Sequence, residues 1–479
     1  MSQPARPTDA FDRLSEAVGE RVNPIIVKEV RQSLRTRVFW VFFPLMLISC
    51  VFISLGFYAA GAEGSESTGQ FAFLSFFVCL AAVQFFVIPY TAFRSMARET
   101  EEETWVLLTL TGLGPRKILS GKLGSSLLQG GLYLSAAAPF LLFSYYLNGI
   151  DLPTIVVAVL ASIAYQVFLI SVCVSLATLA EARIVRSMVH FLVLGLLLAG
   201  LSTGIGLSAG LAEAARSLFA SGSFWLVSCA VVFGLLSTGI ILFETAAARL
   251  SLATEEYARG PRLAFVAQFT GGVGLFFWGW RASGELKVLV AGAIVSSAYA
   301  LLVGTLVMSD RDSMAKVHWA DGGRFALLKP GAFRGYLLVL ACLGLASVLF
   351  ELLAVRAGGG LGDELLIAAA PGFVLVYLGA SNLIARAIPH PGYQTPAMVR
   401  LVFLGLFVLG TGLPPLIGAI LKDSDDVVLN ALNPTIGLVN IEKNGLDAVP
   451  MVLFVWGVAL ALGLLALLGL RRRDVEPLT

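Results

Sequence analysis

The stretch VPMVLFVWGVALALGLLALLGL, Val449–Leu470, followed at once by Arg471-Arg472-Arg473, decides how the chain must fold. It holds no charged side chain, and at about 1.5 Å per residue it is long enough to cross a hydrocarbon core roughly 30 Å thick as one helix. Backbone N–H and C=O groups find no water in that core, and a helix satisfies them internally. The arginine triplet then suggests a side, because Lys and Arg accumulate on the cytoplasmic flanks of spans.

Working outward, the same pattern recurs eleven times. In the first half the apolar runs are Phe39–Ala60, Phe71–Phe93, Leu123–Leu147, Thr154–Ala180, Met188–Gly210 and Phe224–Ala246. In the second they are Leu263–Trp280, Val288–Met308, Tyr336–Ala354, Leu365–Ile384 and Leu401–Leu421, with Val449–Leu470 last. Leu263–Trp280 is the weakest, being short and interrupted by Gln268 and four glycines; a re-entrant path there would invert everything downstream. Charge tests the count. With the N-terminus inside, about 27 of the 33 basic residues fall on the cytoplasmic side. The acids Glu63, Glu66, Asp363, Glu364, Asp423, Asp425 and Asp426 fall outside. If span 7 failed to cross, Arg311, Lys316, Arg324, Lys329 and Arg334 would change sides. The expectation is an all-α polytopic membrane protein of about twelve spans in two six-helix halves, both termini cytoplasmic.

Composition agrees. Of the 479 residues, 57% are hydrophobic and 13% charged, and the mean hydropathy is +0.86. Soluble domains carry about 25% charged residues. The polar gaps between runs are too short for an independent enzymatic domain, and a net charge of +2 averages two opposite faces. The five cysteines all lie within spans without CxxC spacing, which reads as packing. The first twenty residues lack an apolar core of the signal-peptide kind.

Two polar segments are more than connectors. Residues 1–22 form a tail, and 23–38 read as an amphipathic helix at the inner-leaflet interface. Asn23 is the expected N-cap and Pro24 the first helical residue. Ile26, Val30, Leu34 and Val38 form one face, and Lys28, Arg31 and Arg35 another. Between spans 2 and 3, residues 94–122 open with Glu99, Glu101, Glu102 and Glu103. They continue with an apolar run, Trp105-Val-Leu-Leu108, and break at Gly112, Gly114 and Pro115 before Arg116-Lys117. An apolar patch in a cytoplasmic loop calls for a cover.

These residues resemble ABC-2-type transporter permeases. That family carries R-E-x-x-x-G-T-x-E-x-L-L-x-T-P-x-S-x-x-x-I-L-x-G-K-L between its second and third spans. Here stand Arg98-Glu99, Thr104, Leu107-Leu108, Thr111 and Ile118-Leu119-Ser120-Gly121-Lys122-Leu123. Asn23-Pro24 with Lys28-Glu29 and Arg31 is similar to the element before the family's first span. Ala248-Arg249-Leu250, Glu255-Glu256 and Pro261-Arg262-Leu263 are similar to its tail. The likeness covers roughly residues 20–265, with departures at Glu103, Val106 and Gly112. It implies a six-span ABC-2-like domain over 39–262 and an exporter in a bacterial cytoplasmic membrane. It further implies a separate ATPase subunit docking on a patch of Glu99, Glu102, Trp105, Leu108, Arg116 and Lys117.

Absences point the same way. The nearest approach to a phosphate-binding loop, Gly114 to Leu123, has six residues between its glycines and lacks the magnesium-binding hydroxyl. ATP and magnesium are therefore expected on the partner, and neither a catalytic nor a metal site on this chain; no nucleic acid is expected either. His190, His318 and His390 are scattered. Glu181, Glu244 and Glu351 lie near span ends, and Gln84, Gln129, Gln166 and Gln268 read as interhelical glue. The poverty of mid-span charge disfavours an ion-coupled carrier, and the major-facilitator element between spans 2 and 3 is missing. A non-transporting scaffold stands as the other alternative. Residues 263–479 carry no family motif. A fused pseudo-dimer and a homodimerising first half with an accessory second are both open. The segment 422–448 reads as an outside loop in which Asn433-Pro434 opens a short interfacial helix.

Overall fold

The computed structural model describes residues 24–59, 68–101, 114–178, 183–251, 257–308, 326–388, 396–421 and 429–475, and their regular structure is helical throughout. The chain divides into two compact units, Met1–Ser251 and Leu252–Thr479. In unit 1, a short helix α1 (Pro24–Leu34) precedes α2 (Arg37–Ala59), α3 (Thr68–Glu101), α4 (Pro115–Tyr146), α5 (Leu152–Ala177), α6 (Arg183–Phe219) and α7 (Gly222–Leu250). Unit 2 comprises α8 (Arg259–Ser283), α9 (Leu286–Met308), α10 (Ala332–Arg356), α11 (Leu361–Ala387), α12 (Pro396–Leu421), α13 (Pro434–Asn444) and α14 (Val449–Val475).

Among the described residues twelve helices are long and apolar enough to cross a membrane, and they match the twelve runs of the sequence. The doubtful seventh is one unbroken helix of 25 residues, α8, though its mean hydropathy of 1.3 is the lowest of the set. Gln268 within it accepts a hydrogen bond from Tyr299 Oη of α9 at 2.7 Å, so its amide oxygen is not left bare to lipid. The outward surface is apolar: Phe52, Phe191, Leu345 and Ile420 are 69–79% exposed. A face of this kind is solvated by acyl chains, not water.

Each unit has one central helix. In unit 1 it is α3, the second span, with 61% of its most apolar window buried; in unit 2 it is α11, the fourth span, with 72%. The two units are not built on the same plan.

Two departures from the sequence expectations matter for function. The amphipathic segment is shorter than 23–38. Asn23 lies outside the described residues, α1 ends at Leu34, and Thr36 opens α2 by accepting from Phe39 N at 3.3 Å. Arg35 therefore sits in the turn, and Val38 belongs to the span.

The second departure is α13. Asn433 caps it as read, accepting from Thr435 N and Ile436 N at 3.0 and 3.2 Å. Yet its start is not at the interface. Leu432 O accepts from Tyr377 Oη at 3.0 Å, and Asn433 Nδ2 donates to Thr411 O at 3.2 Å. Tyr377 and Thr411 lie near the midpoints of α11 and α12. Meanwhile Trp456 Nε1 donates to Ala368 O, and Leu462 lies against Gly379, so α14 starts beside the start of α11 and runs with it. Hence the chain dips to mid-depth at Leu432–Asn433, and α13 climbs back to the end where α14 begins. It is a re-entrant half-helix. Asn430, Asn433 and Asn440 are buried along it. The sequence pattern misses the dip because the tip is held by side-chain caps, not by a long apolar run.

Candidate functional site

Helix length builds the site. At about 1.5 Å per residue, α3 with its 34 residues extends roughly 50 Å, well beyond a core of about 30 Å. The end of α3 and the beginning of α4 therefore form a stub past the hydrocarbon, and α1 lies across it. Two glycines of α4 make the seat. A β-carbon on Gly121 would collide with the Ile25 side chain, and one on Gly124 would come within 2.9 Å of Ile26 Cδ1. Ile25 is 8% exposed, and Ile26, Val30 and Leu34 are half-buried. At Ile25 and Ile26 the aliphatic edge of α1 faces α4 and not the leaflet. Lys28, Arg31 and Arg35 remain exposed and, with Val27 and Gln32, border an open cleft of about 490 Å³.

Under α1 lies one buried cation. Lys122, on α4, is 2% exposed. Its Nζ donates to Ser95 Oγ and to Glu99 Oε1, both at 2.8 Å, and stands 3.5 Å from Glu29 Oε1. One ammonium thus joins α1, α3 and α4. Two of the ammonium's three donors are engaged in hydrogen bonds, and Glu29 adds an ion pair at 3.5 Å. The partial exposure of Glu29 and Glu99, 13% and 19%, lowers the desolvation cost that burial of the lysine incurs.

A second ionic link ties α4 to α7. Arg116 directs Nε and Nη2 to the same oxygen of Glu244, at 3.0 and 2.8 Å. Arg116 is 59% exposed, so this is a surface contact. Lys117, Arg94, Arg98 and Glu101 are exposed as well.

Of the six residues expected to form a docking patch, Glu102, Trp105 and Leu108 lie outside the described residues. Arg116 and Lys117 stand on the outer surface. Glu99 is half-buried, and its Oε1 accepts from Lys122 Nζ at 2.8 Å. Sequence reasoning missed the roles of Glu29, Lys122 and Glu244. The signal was present, since each of the two family-like stretches that meet here carries an unexplained charge: Glu29 in the first, Glu99 and Lys122 in the second.

Deeper in unit 1, α3 contains a π-helical turn, Ala82–Val87, which projects Gln84 into the core. Gln84 Nε2 donates to Gln166 Oε1 of α5 at 2.8 Å, and both residues are almost wholly buried. Gly130 of α4 leaves the space that Gln166 occupies. The pair links α3 to α5 with Gln84 Oε1 and Gln166 Nε2 unbonded to described residues.

Unit 2 has its own buried cation. Arg262, in the first turn of α8, is 1% exposed. Its guanidinium donates to the carbonyls of Leu327 (3.0 Å), Lys329 and Gly331 (2.8 Å), with Val307 O at 3.5 Å. Gly335 makes room for it: a β-carbon there would lie 2.5 Å from Val307 O and 2.8 Å from Arg262 Nη2.

The fold and its surface define the class, a multi-pass helical membrane protein. Comparison with protein-family models, with curated proteins and with solved structures returned no match.

Proposed function

We propose that the chain is the permease subunit of an ABC-type exporter in a bacterial cytoplasmic membrane, with both termini inside. A separate ATPase subunit, holding ATP and magnesium, docks on the stub of unit 1. The observation that carries the reading is the convergence at Lys122. The segment before span 1 and the two ends of the loop between spans 2 and 3 are the stretches that resemble the permease family. They supply Glu29, Glu99 and Lys122 respectively, and these meet in one ion cluster.

On this reading the cluster is a joint. The ATPase pushes on the exposed faces of α1 and of the segment between α3 and α4, and the buried lysine makes the three helices move as one piece. Because α3 is the central helix of unit 1, movement of its end is passed into the bundle, where the Gln84–Gln166 pair binds it to α5. The differing central helices speak for an accessory second unit over a repeat of the first.

The test is association. The full chain is co-expressed with the ATPase of the neighbouring reading frame and purified through a tag on the chain. Trp105→Ala with Leu108→Ala is expected to abolish co-purification while the chain still resists alkaline extraction from membranes. Retained co-purification would sink the docking assignment.

A further inference from the structure

Unit 2 holds a cleft that the exporter reading leaves unused. It lies among α9, α11, α12 and the half-helix α13, with a volume of about 620 Å³, within the range of about 300–1,000 Å³ that ligand pockets take. Its walls are apolar over most of their length: Val290, Ile294 and Leu301 of α9, Phe373 of α11, Phe407 of α12 and Leu438 of α13. Three charged residues complete the lining, and they gather at one end. Lys287 is the second residue of α9, and Asp363 the third of α11. These two helices enter from the same side because α10 runs back between them. Glu442 stands near the end of α13, which climbs to that same side.

The dimensions are those of a lipid tail. From Lys287 to Leu301 along α9 is about 20 Å, and from Asp363 to Val374 along α11 about 16 Å. One leaflet of hydrocarbon is about 15 Å deep, half of the roughly 30 Å core. The charged end stands at the membrane–water interface, where Trp278 and Trp280 close the preceding helix α8. The apolar end stops at mid-depth, against Pro434 and Thr435 at the foot of α13.

The charges specify the head. Lys287 and Glu442 are exposed and Asp363 half-buried, and none forms an ion pair with a described residue. One cation suits a phosphate, and two carboxylates suit an amine. We propose that this cleft binds one phospholipid of the surrounding bilayer, a zwitterionic lipid with a primary-amine headgroup of the phosphatidylethanolamine kind. Its phosphate sits on Lys287, its ammonium between Asp363 and Glu442, and one acyl chain fills the groove behind the half-helix. An anionic headgroup without an amine leaves both carboxylates unanswered and is discriminated against.

The test uses the full chain, delipidated in detergent and offered dioleoyl-phosphatidylethanolamine or dioleoyl-phosphatidylglycerol, with retention read by native mass spectrometry. The tails are identical, so any difference reports the head. The amine lipid is expected to be retained about fivefold better, the size of a partly exposed charge pair. Asp363→Asn with Glu442→Gln is expected to bring the two lipids to parity. Ala298→Phe and Ala291→Phe each place a ring in the groove from the α9 wall, and are expected to lower retention of both lipids while the melting temperature holds. Equal retention by the unaltered chain overturns the headgroup assignment. A preference that survives the double substitution does the same. Retention unchanged in both phenylalanine variants overturns the groove.

Discussion

Each unit buries a cation where a helix leaves the membrane, Lys122 in unit 1 and Arg262 in unit 2, and the two are satisfied by different means. Lys122 meets side chains: the carboxylates of Glu29 and Glu99 and the hydroxyl of Ser95, from two other helices. Arg262 meets main chain. Val307 O belongs to the last turn of α9, whose carbonyls have no intrahelical partner, and Gly331 O precedes α10. The planar guanidinium spreads five donors over a fixed fork and so reaches carbonyls on two sides, where an ammonium gathers three donors at one point. The difference separates a joint from a plug. Side-chain ions tie separate helices to one another, whereas a guanidinium holding backbone fixes the path of the chain itself. Unit 1 has the arrangement suited to transmitting a push, and unit 2 the one suited to standing still.

Removing the plug should cost most. Arg262→Met leaves several buried carbonyls without a donor, each worth roughly 1–3 kcal/mol, and a loss of about 4 kcal/mol in detergent unfolding is expected. Arg262→Lys should recover little of it, because one ammonium cannot reach carbonyls on both sides of the guanidinium. Full recovery by lysine would erase the distinction between the two sites. Lys122→Met should cost less, about 2–3 kcal/mol, since the carboxylates it abandons are partly solvated. Here the exchange Lys122→Glu with Glu99→Lys should restore more than half of the loss in the same unfolding assay. A joint made of side chains tolerates reversal of its charges, and a cage of carbonyls would not.

The glycines beside each cation extend the comparison at smaller scale. In Gly335→Ala the new methyl meets Val307 O and the Arg262 guanidinium, neither of which can retreat, and about 2 kcal/mol of destabilisation is expected. In Gly121→Ala the obstacle is the Ile25 side chain on a short helix that can shift, so about 1 kcal/mol should suffice. Thermal melting of the two variants side by side checks the order. A larger effect at Gly121 would mean that α1 is held as rigidly as the plug.

The spans were legible because lipid imposes a rule that every residue of a span obeys, and Val449–Leu470 obeys it without exception. Even α8 could be placed, through the basic residues that follow it. Charges spoke less plainly. Glu29, Glu99 and Lys122 are separated by 70 and 23 positions, and only the packing of α1 on Gly121 and Gly124 brings them together. Glu99 looked like a surface acid because acids at a helix end usually are; its neighbour Glu101 is exposed. The half-helix α13 was half visible. Asn433-Pro434 announces a helix start, but nothing local tells whether that start is at the interface or at mid-depth. Its depth depends on Tyr377 and Thr411, each remote in sequence.

The smallest effect is expected at Arg116. Its shorter bond to Glu244 matches the 2.8 Å between Lys122 and Glu99, yet Arg116 is 59% exposed where Lys122 is 2%. Water and salt weaken a pair at the surface, and holding a long side chain in place costs rotamer freedom. Arg116→Ala should therefore change stability by no more than about 0.5 kcal/mol. What remains should fade between low salt and roughly 0.5 M, while the loss caused by Lys122→Met persists across that range. Melting both variants at the two salt concentrations separates the cases. Equal salt sensitivity would mean that Lys122 is solvated after all, and the brace at the base of unit 1 would then be a surface contact like the one beside it.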